Sequence, residues 1–199
     1  MPYELPKRRA RGWGGVHVYA VGHSTRTAQE LVELLQAHGV RTLVDIRTVP
    51  RSRTNPQFNL ERLPRTLEAA GLHHAYLPRL GGLRHSRPDS PNMAWRNKSF
   101  RGYADYMQTE DFAQGLEELR VLAQEGPVAI MCAEALRWRC HRSLVADALF
   151  ARGVQVLHIT RPTRAEPHKL TPFAELHGTR VLYPAHGEDM AESPAEAPR

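Results

Sequence analysis

The feature that most constrains this chain is the run Val128–Met131. Four apolar residues in succession, rich in β-formers, make a strand too short to be a helix and suited to burial. The run ends in Cys132-Ala133-Glu134, where a strand hands over to a loop. After a short basic segment, Cys140, His141 and Arg142 open an amphipathic helix through Arg152. In an α/β sheet, ligands bind outside the carboxyl ends of the strands. Two cysteines, a carboxylate, a histidine and an arginine therefore fall where chemistry is usually done.

Further strands are expected at Val16–Val21, Val40–Ile46, Leu72–Leu77 and Val154–Ile159. Helical segments separate them. Thr27 and Glu30 have capping-box spacing before a helix from Ala28 to His38, with Gly39 placed to end it. A helix ending at Ala70 starts at about Leu60, or at Pro64 if proline takes a first-turn position. A short helix over Phe100–Gln108 precedes a longer one, Glu110–Gln124, capped by Thr109. A last turn of helix is expected within Pro167–Leu176. Strands alternating with helices predict an α/β fold: a mostly parallel sheet of about five strands with helices on both faces, a Rossmann-like three-layer arrangement in a single domain. Residues 16–182 make up that domain. Residues 1–15 read as a flexible basic arm, and 183–199 as a disordered tail rich in Ala, Glu and Pro. The polar stretch 83–99 is long for a loop in a compact domain, so it is either mobile or functional.

The chain of 199 residues carries a net charge of +6. That excess favours an anionic partner, such as nucleic acid or a nucleotide, although a charge bias on a solvated surface would look the same. Lysine occurs only at Lys7, Lys98 and Lys169, so arginine supplies nearly all the positive charge. Arginine suits bidentate capture of phosphate or carboxylate. Two cysteines do not make a disulfide framework, and no apolar run is long enough to span a bilayer. A cytoplasmic protein with reduced thiols is expected, with no membrane partner. Oligomeric state is not legible.

If the sheet is parallel, its strand ends converge. The first delivers His23 and Ser24, the second Asp45 and Arg47, the third Gly81 and Gly82, and the fourth Cys132 and Glu134. Cys132 is a candidate nucleophile, because backbone N–H groups and nearby arginines favour its thiolate. It is equally readable as a small buried hydrophobe. Glu134 is a candidate general base or an ion-pair partner of Arg142 or Arg47, and His23 and Asp45 are candidate proton handlers. Arg47, Arg51, Arg53, Asn55 and Arg142 are phosphate-binding candidates, and Phe58 is placed to stack on a base. Ser24 reads as a substrate contact or a helix-start residue. Cys140 and His141 suggest a metal pair at first sight, but their spacing with Cys132 and His23 matches no zinc pattern. No metal and no cofactor is expected.

These stretches, in order, are recognisable. Gly22-His23-Ser24, VDIRTVPRSRTNPQFN (44–59), LPRLGG (77–82), FRGYADYM (100–107) and CAEALRWRCHR (132–142) resemble the domain-of-unknown-function 488 family, with a weaker echo at Pro167-His168. The resemblance implies a compact α/β domain and these site positions, and no reaction. A fainter likeness to rhodanese lies in VDIR after a strand and in a cysteine opening a loop before a helix. It implies sulfur transfer, with Cys132 as the persulfide carrier, although Glu134 stands where that loop should cradle an anion. Three functions follow as expectations: an enzyme acting on an anionic, nucleotide-type substrate, a sulfurtransferase, and a non-catalytic nucleic-acid-binding module.

Overall fold

The protein is described by a computed structural model over residues 12–186. Five parallel strands form the body of one sheet: β1 (His17–Gly22), β2 (Thr42–Asp45), β3 (His73–Tyr76), β4 (Val128–Cys132) and β5 (Gln155–Arg161). A sixth, β6 (Arg164–Pro167), pairs antiparallel with β5 at one edge. The order is β3-β2-β4-β1-β5-β6. The sheet thus has six strands where the sequence predicts about five. The additional strand follows from a tight turn after β5. Its short, half-exposed sequence carries no apolar run, as suits an edge. The segment expected to form a last helical turn instead ends β6 at Pro167 and leads to a separate hairpin, β7 (Glu175–His177) and β8 (Arg180–Leu182).

Helices α1 (Ala28–Ala37) and α2 (Leu63–Ala69) cover one face of the sheet. Leu31, Leu35, Leu63 and Leu67 pack there against Leu43, Ala129 and Met131. Helices α3 (Lys98–Tyr106), α4 (Glu110–Glu125) and α5 (Arg142–Phe150) cover the other, against Val18, Ala20, Val128 and Ile130. Alternate residues of β4 therefore serve opposite faces, and both faces are apolar because both are covered. That is why Val128–Met131 is continuous rather than alternating.

Local signals worked where helix ends are self-contained. Thr27 caps α1 in a full capping box with Glu30, and Gly39 follows at φ +66°. Thr109 caps α4, and Pro64 sits in the first turn of α2. Two terminal expectations need correction. Trp13, assigned to the flexible arm, is half-buried against the core, and Tyr183, assigned to the tail, is fully buried. Residues 1–11 and 187–199 lie outside the described residues.

The long stretch 83–99 is held, not loose. Asp105 on α3 accepts hydrogen bonds from the Ser90 hydroxyl (2.6 Å), the Asn92 amide (2.8 Å) and the Arg87 backbone N–H (2.8 Å). The Asn92 side-chain oxygen in turn accepts from the Tyr183 N–H. One buried carboxylate thus fixes the loop and, through Asn92, the C-terminal segment.

Candidate functional site

β1 and β4 are neighbours, but their chains leave the sheet toward opposite faces, β1 toward α1 and β4 toward α5. Such a divergence opens a crevice at the carboxyl edge. Cys132, Cys140 and Arg142 lie in it, all buried.

The loop after β4 comes so close to β1 that only glycine fits at position 22. A Cβ there would lie 1.8 Å from the Glu134 carbonyl oxygen and 2.9 Å from Arg142 Nη1. The loop is laced to the next residues of β1 by His23 N–H to the Cys132 carbonyl (3.0 Å) and Ser24 N–H to the Ala133 carbonyl (2.9 Å). Ser24 takes φ +52° to do so, so it is a left-handed corner and the helix cap is Thr27.

Arg142 is the unusual group. It is 2% exposed, yet among the described residues its only side-chain hydrogen bond is a long one, 3.3 Å, to the Ala135 carbonyl. Nε and Nη1 are buried with no hydrogen-bond partner among the described residues. An uncompensated buried guanidinium is costly, so its persistence points to a use. The charge of Arg142 acts on Cys132. Burial pushes that thiol's pKa up, but the facing Cys140 thiol and the Arg142 charge outweigh burial and hold it below the ordinary value. Pairing with Cys132, together with burial, pushes the Cys140 thiol well up. Of the two sulfurs, Cys132 is thus the one that ionises first, with Cys140 as its protonated neighbour.

His141 is committed to structure. Its Nε2–H donates to the Ile46 carbonyl at 2.9 Å, leaving Nδ1 toward the Cys140 sulfur at 3.5 Å. Burial, chiefly, pushes its pKa down to about 4. Gly82 makes room for this ring, since a Cβ would lie 2.8 Å from His141 Nδ1, and Gly81 lets the chain pass Thr48 as closely.

Several sequence candidates turn out to be occupied. Asp45 is fully buried and accepts from Arg47 Nε (2.9 Å), Nη2 (2.6 Å) and backbone N–H (3.0 Å). Arg47 also donates to the Phe58 carbonyl at 2.6 Å and reaches His23 Nε2 at 3.4 Å. His23 donates from Nδ1 to the Ser24 carbonyl, so both ring nitrogens have partners, and burial lowers its pKa. Phe58 corrects the sequence reading. It is fully buried and stacks on His23 at 4.3 Å, so its ring presents no surface to a base. Arg51 and Arg53 are exposed, and Asn55 is turned into its own loop by Ser52 and Thr54. The Glu134 side chain is exposed with no ion pair among the described residues, and it is its backbone oxygen that faces Cys132 Sγ, at 3.6 Å.

Two groups were missed. Trp138, 56% exposed, stands between Arg137 and Arg139 on the turn beside the crevice. The sequence signal was present in the triplet Arg137-Trp138-Arg139. The other is His158 on β5, with His168 and Asp147 behind it, for which sequence gave no signal beyond the isolated Pro167-His168 echo. Among the described residues no three His, Cys, Asp or Glu side chains are grouped to hold a metal ion. None of the described helices is long and apolar enough to cross a membrane.

Fold and site together define a three-layer α/β protein with a buried thiol–arginine centre at the carboxyl edge of its sheet. The family model described as "Domain of unknown function DUF488" matches residues 27–149, well over half of the chain. The chain belongs to that family. No curated protein and no solved structure matches it, and nothing in the comparisons shows the rhodanese likeness.

Proposed function

We propose that the protein is an enzyme acting on an anionic, nucleotide-type substrate, with Cys132 as nucleophile and Arg142 as the cation that holds the anion. The observation that carries this reading is Arg142 itself: a buried guanidinium with two unpartnered N–H-bearing nitrogens beside a thiol of lowered pKa. The weak Ala135 carbonyl contact is what a phosphate or carboxylate oxygen would replace, because charge-assisted hydrogen bonds are shorter and stronger. Access is over the exposed residues Ala133–Leu136. Trp138 offers a face for stacking a base, and Arg137, Arg139, Arg51 and Arg53 supply positive charge around it. In this reading Asp45, Arg47, His23 and His141 hold the strand ends in place, and Glu134 contributes its backbone to the loop.

The sulfur-transfer alternative fits less well. A persulfide carrier needs a loop of backbone N–H groups directed at the sulfur, and here a single backbone hydrogen bond at Glu134 favours the thiolate while the Glu134 carbonyl oxygen also lies 3.6 Å from Cys132 Sγ. A purely binding module has no need of a lowered thiol pKa.

The test is binding of adenosine monophosphate and a short single-stranded oligonucleotide, followed by Trp138 fluorescence, in the wild type and in Arg142→Gln. Saturable quenching that weakens at least tenfold in Arg142→Gln is expected. Equal binding by both proteins would sink the assignment of Arg142. Thiosulfate treatment that adds one sulfur to Cys132 by mass would restore the sulfur-transfer reading.

A further inference from the structure

Behind the crevice lies a chain of buried polar groups. Asp147 on α5 is fully buried. Its carboxylate accepts from the Thr171 backbone N–H (3.1 Å), the Thr171 hydroxyl (2.7 Å) and the Tyr183 hydroxyl (2.8 Å). His168 Nε2 lies 2.7 Å from Asp147 Oδ1, and His168 Nδ1 lies 2.9 Å from His158 Nε2. His158 Nδ1 is buried without a hydrogen-bond partner among the described residues.

The donors along this chain follow from its fixed end. An ionised carboxylate only accepts, so His168 donates from Nε2. With His168 neutral, its Nδ1 keeps a lone pair, which accepts from His158 Nε2–H. The remaining nitrogen, His158 Nδ1, is left as a bare lone pair. A carboxylate orienting an imidazole so that its far nitrogen is basic is the logic of a catalytic triad, here lengthened by one histidine.

The register says on which face the His158 side chain lies. Ala20 of β1 pairs with Ile130 on one side and His158 on the other, and Gly22 pairs with Cys132. Cys132 is two residues beyond Ile130, so both it and His158 point to the α5 face. They are separated by one strand and offset by two residues along it, about 12 Å from two strand spacings and two residue rises. Arg142, reaching Gly22 on that middle strand, stands between them. The cation is flanked by a thiol on one side and a base on the other.

Resting on the reading above, we infer that His158 is the general base of this site, with His168 and Asp147 as its positioning residues, and that it activates water against a Cys132-bound intermediate. The Cys132 thiolate first forms a bond to the substrate's electrophilic atom, and the leaving group departs with the electron pair of the bond that breaks. The water's O–H bond then breaks and its proton goes to His158 Nδ1. The freed electron pair forms the new bond to the substrate's electrophilic atom. The bond from that atom to Cys132 breaks, and its electron pair returns to sulfur as thiolate. Charge on His158 is shared through Nε2–H toward His168 and Asp147, and the proton is later lost to solvent.

The groups facing His158 explain how it would be switched on. Burial first, then the charge of a protonated His168, Arg142 and Arg137, push its pKa down to about 3, and with His168 neutral burial and the two arginines still act in that direction. Glu166, its cross-strand partner on β6, is taken up by Arg137 and Arg164. An anion at Arg142 neutralises one of the opposing charges, so a bound substrate raises the basicity of the group that must act on it.

The experiment is ¹⁵N NMR of the histidines of the full chain, with pH titration, with and without adenosine monophosphate, in the wild type and Arg142→Gln. Expected in the free wild type is a neutral His158 protonated at Nε2 with a bare Nδ1. Adenosine monophosphate should raise its titration midpoint by at least one pH unit, and Arg142→Gln should abolish that response while keeping the tautomer. A merely structural chain would have the same tautomer and no such response. A His158 protonated at Nδ1 overturns the inference. So does a His158 unmoved by nucleotide that saturates the Trp138 quenching, and in that case the substrate reading survives alone. Nucleotide that moves neither Trp138 nor His158 overturns the substrate reading together with the base assigned to it.

Discussion

Asp105 and Arg142 are both charged residues carried on helices of the same face and both nearly excluded from solvent, and their surroundings differ completely. Asp105 accepts from Ser90, Asn92 and Arg87 at 2.6–2.8 Å, and every contact ties down the 83–99 loop. Among the described residues Arg142 has one long hydrogen bond and two nitrogens without a hydrogen-bond partner. A satisfied buried charge organises the chain around it, whereas an unsatisfied one is a standing cost that folding alone does not explain. The comparison separates structure from function more sharply than residue type or position. By sequence both the 83–99 stretch and the 132–142 stretch qualify as functional loops.

The largest expected effect tests the satisfied side. Asp105→Ala strands two buried side-chain donors, Ser90 and Asn92, and the part-buried Arg87 N–H, and should cost about 3–5 kcal/mol in urea unfolding. A loss under about 1 kcal/mol would mean the network contributes little and would weaken the contrast.

Acid is the next test. His141 has a folded pKa of about 4 against an unfolded value near 6.5, so the unfolded chain binds the extra proton first. Stability should therefore be intact above about pH 6.5 and fall as pH drops toward 4. Between pH 7 and pH 5 the loss from this residue is about 2 kcal/mol. His141→Gln should flatten that slope. A slope that persists unchanged would assign the acid sensitivity elsewhere.

On the unsatisfied side the expectation reverses. Arg142→Met removes an unpaired buried charge, so stability should stay within about 1 kcal/mol of wild type or rise. Cys132 reactivity should fall instead. Without the guanidinium its pKa climbs, and iodoacetamide alkylation at pH 7, measured in a Cys140→Ala background, should slow about tenfold. A destabilisation like that of Asp105→Ala would erase the distinction between the two networks.

The smallest effect is expected at Trp138→Ala. A half-exposed ring on a turn should change stability by no more than about 0.5 kcal/mol. Loss of base stacking should weaken nucleotide binding about fivefold or more. Unchanged binding would remove Trp138 from the site.

Much of the frame was legible because its signals are local. The continuous apolar run of β4, the Thr27–Glu30 box, the Thr109 cap and Gly39 each report the conformation of a few neighbouring residues. Strand ends carrying Cys132, Asp45 and His23 were legible for the same reason. Sequence alone determined a layered α/β chain with its polar residues at one edge. Tertiary structure decided which of those residues are free. Asp45 and Arg47 consume each other and Phe58 goes under His23, while Arg142 Nε and Nη1 find no partner among the described residues. Structure alone also brought His158, His168 and Asp147 together, through an edge strand too short and polar to announce itself. It set Tyr183 against Asp147 across 36 positions of sequence. Local propensity acts over one turn or one strand. Whether a buried polar atom finds a partner depends on strand order and register, which are fixed only when the whole sheet has formed.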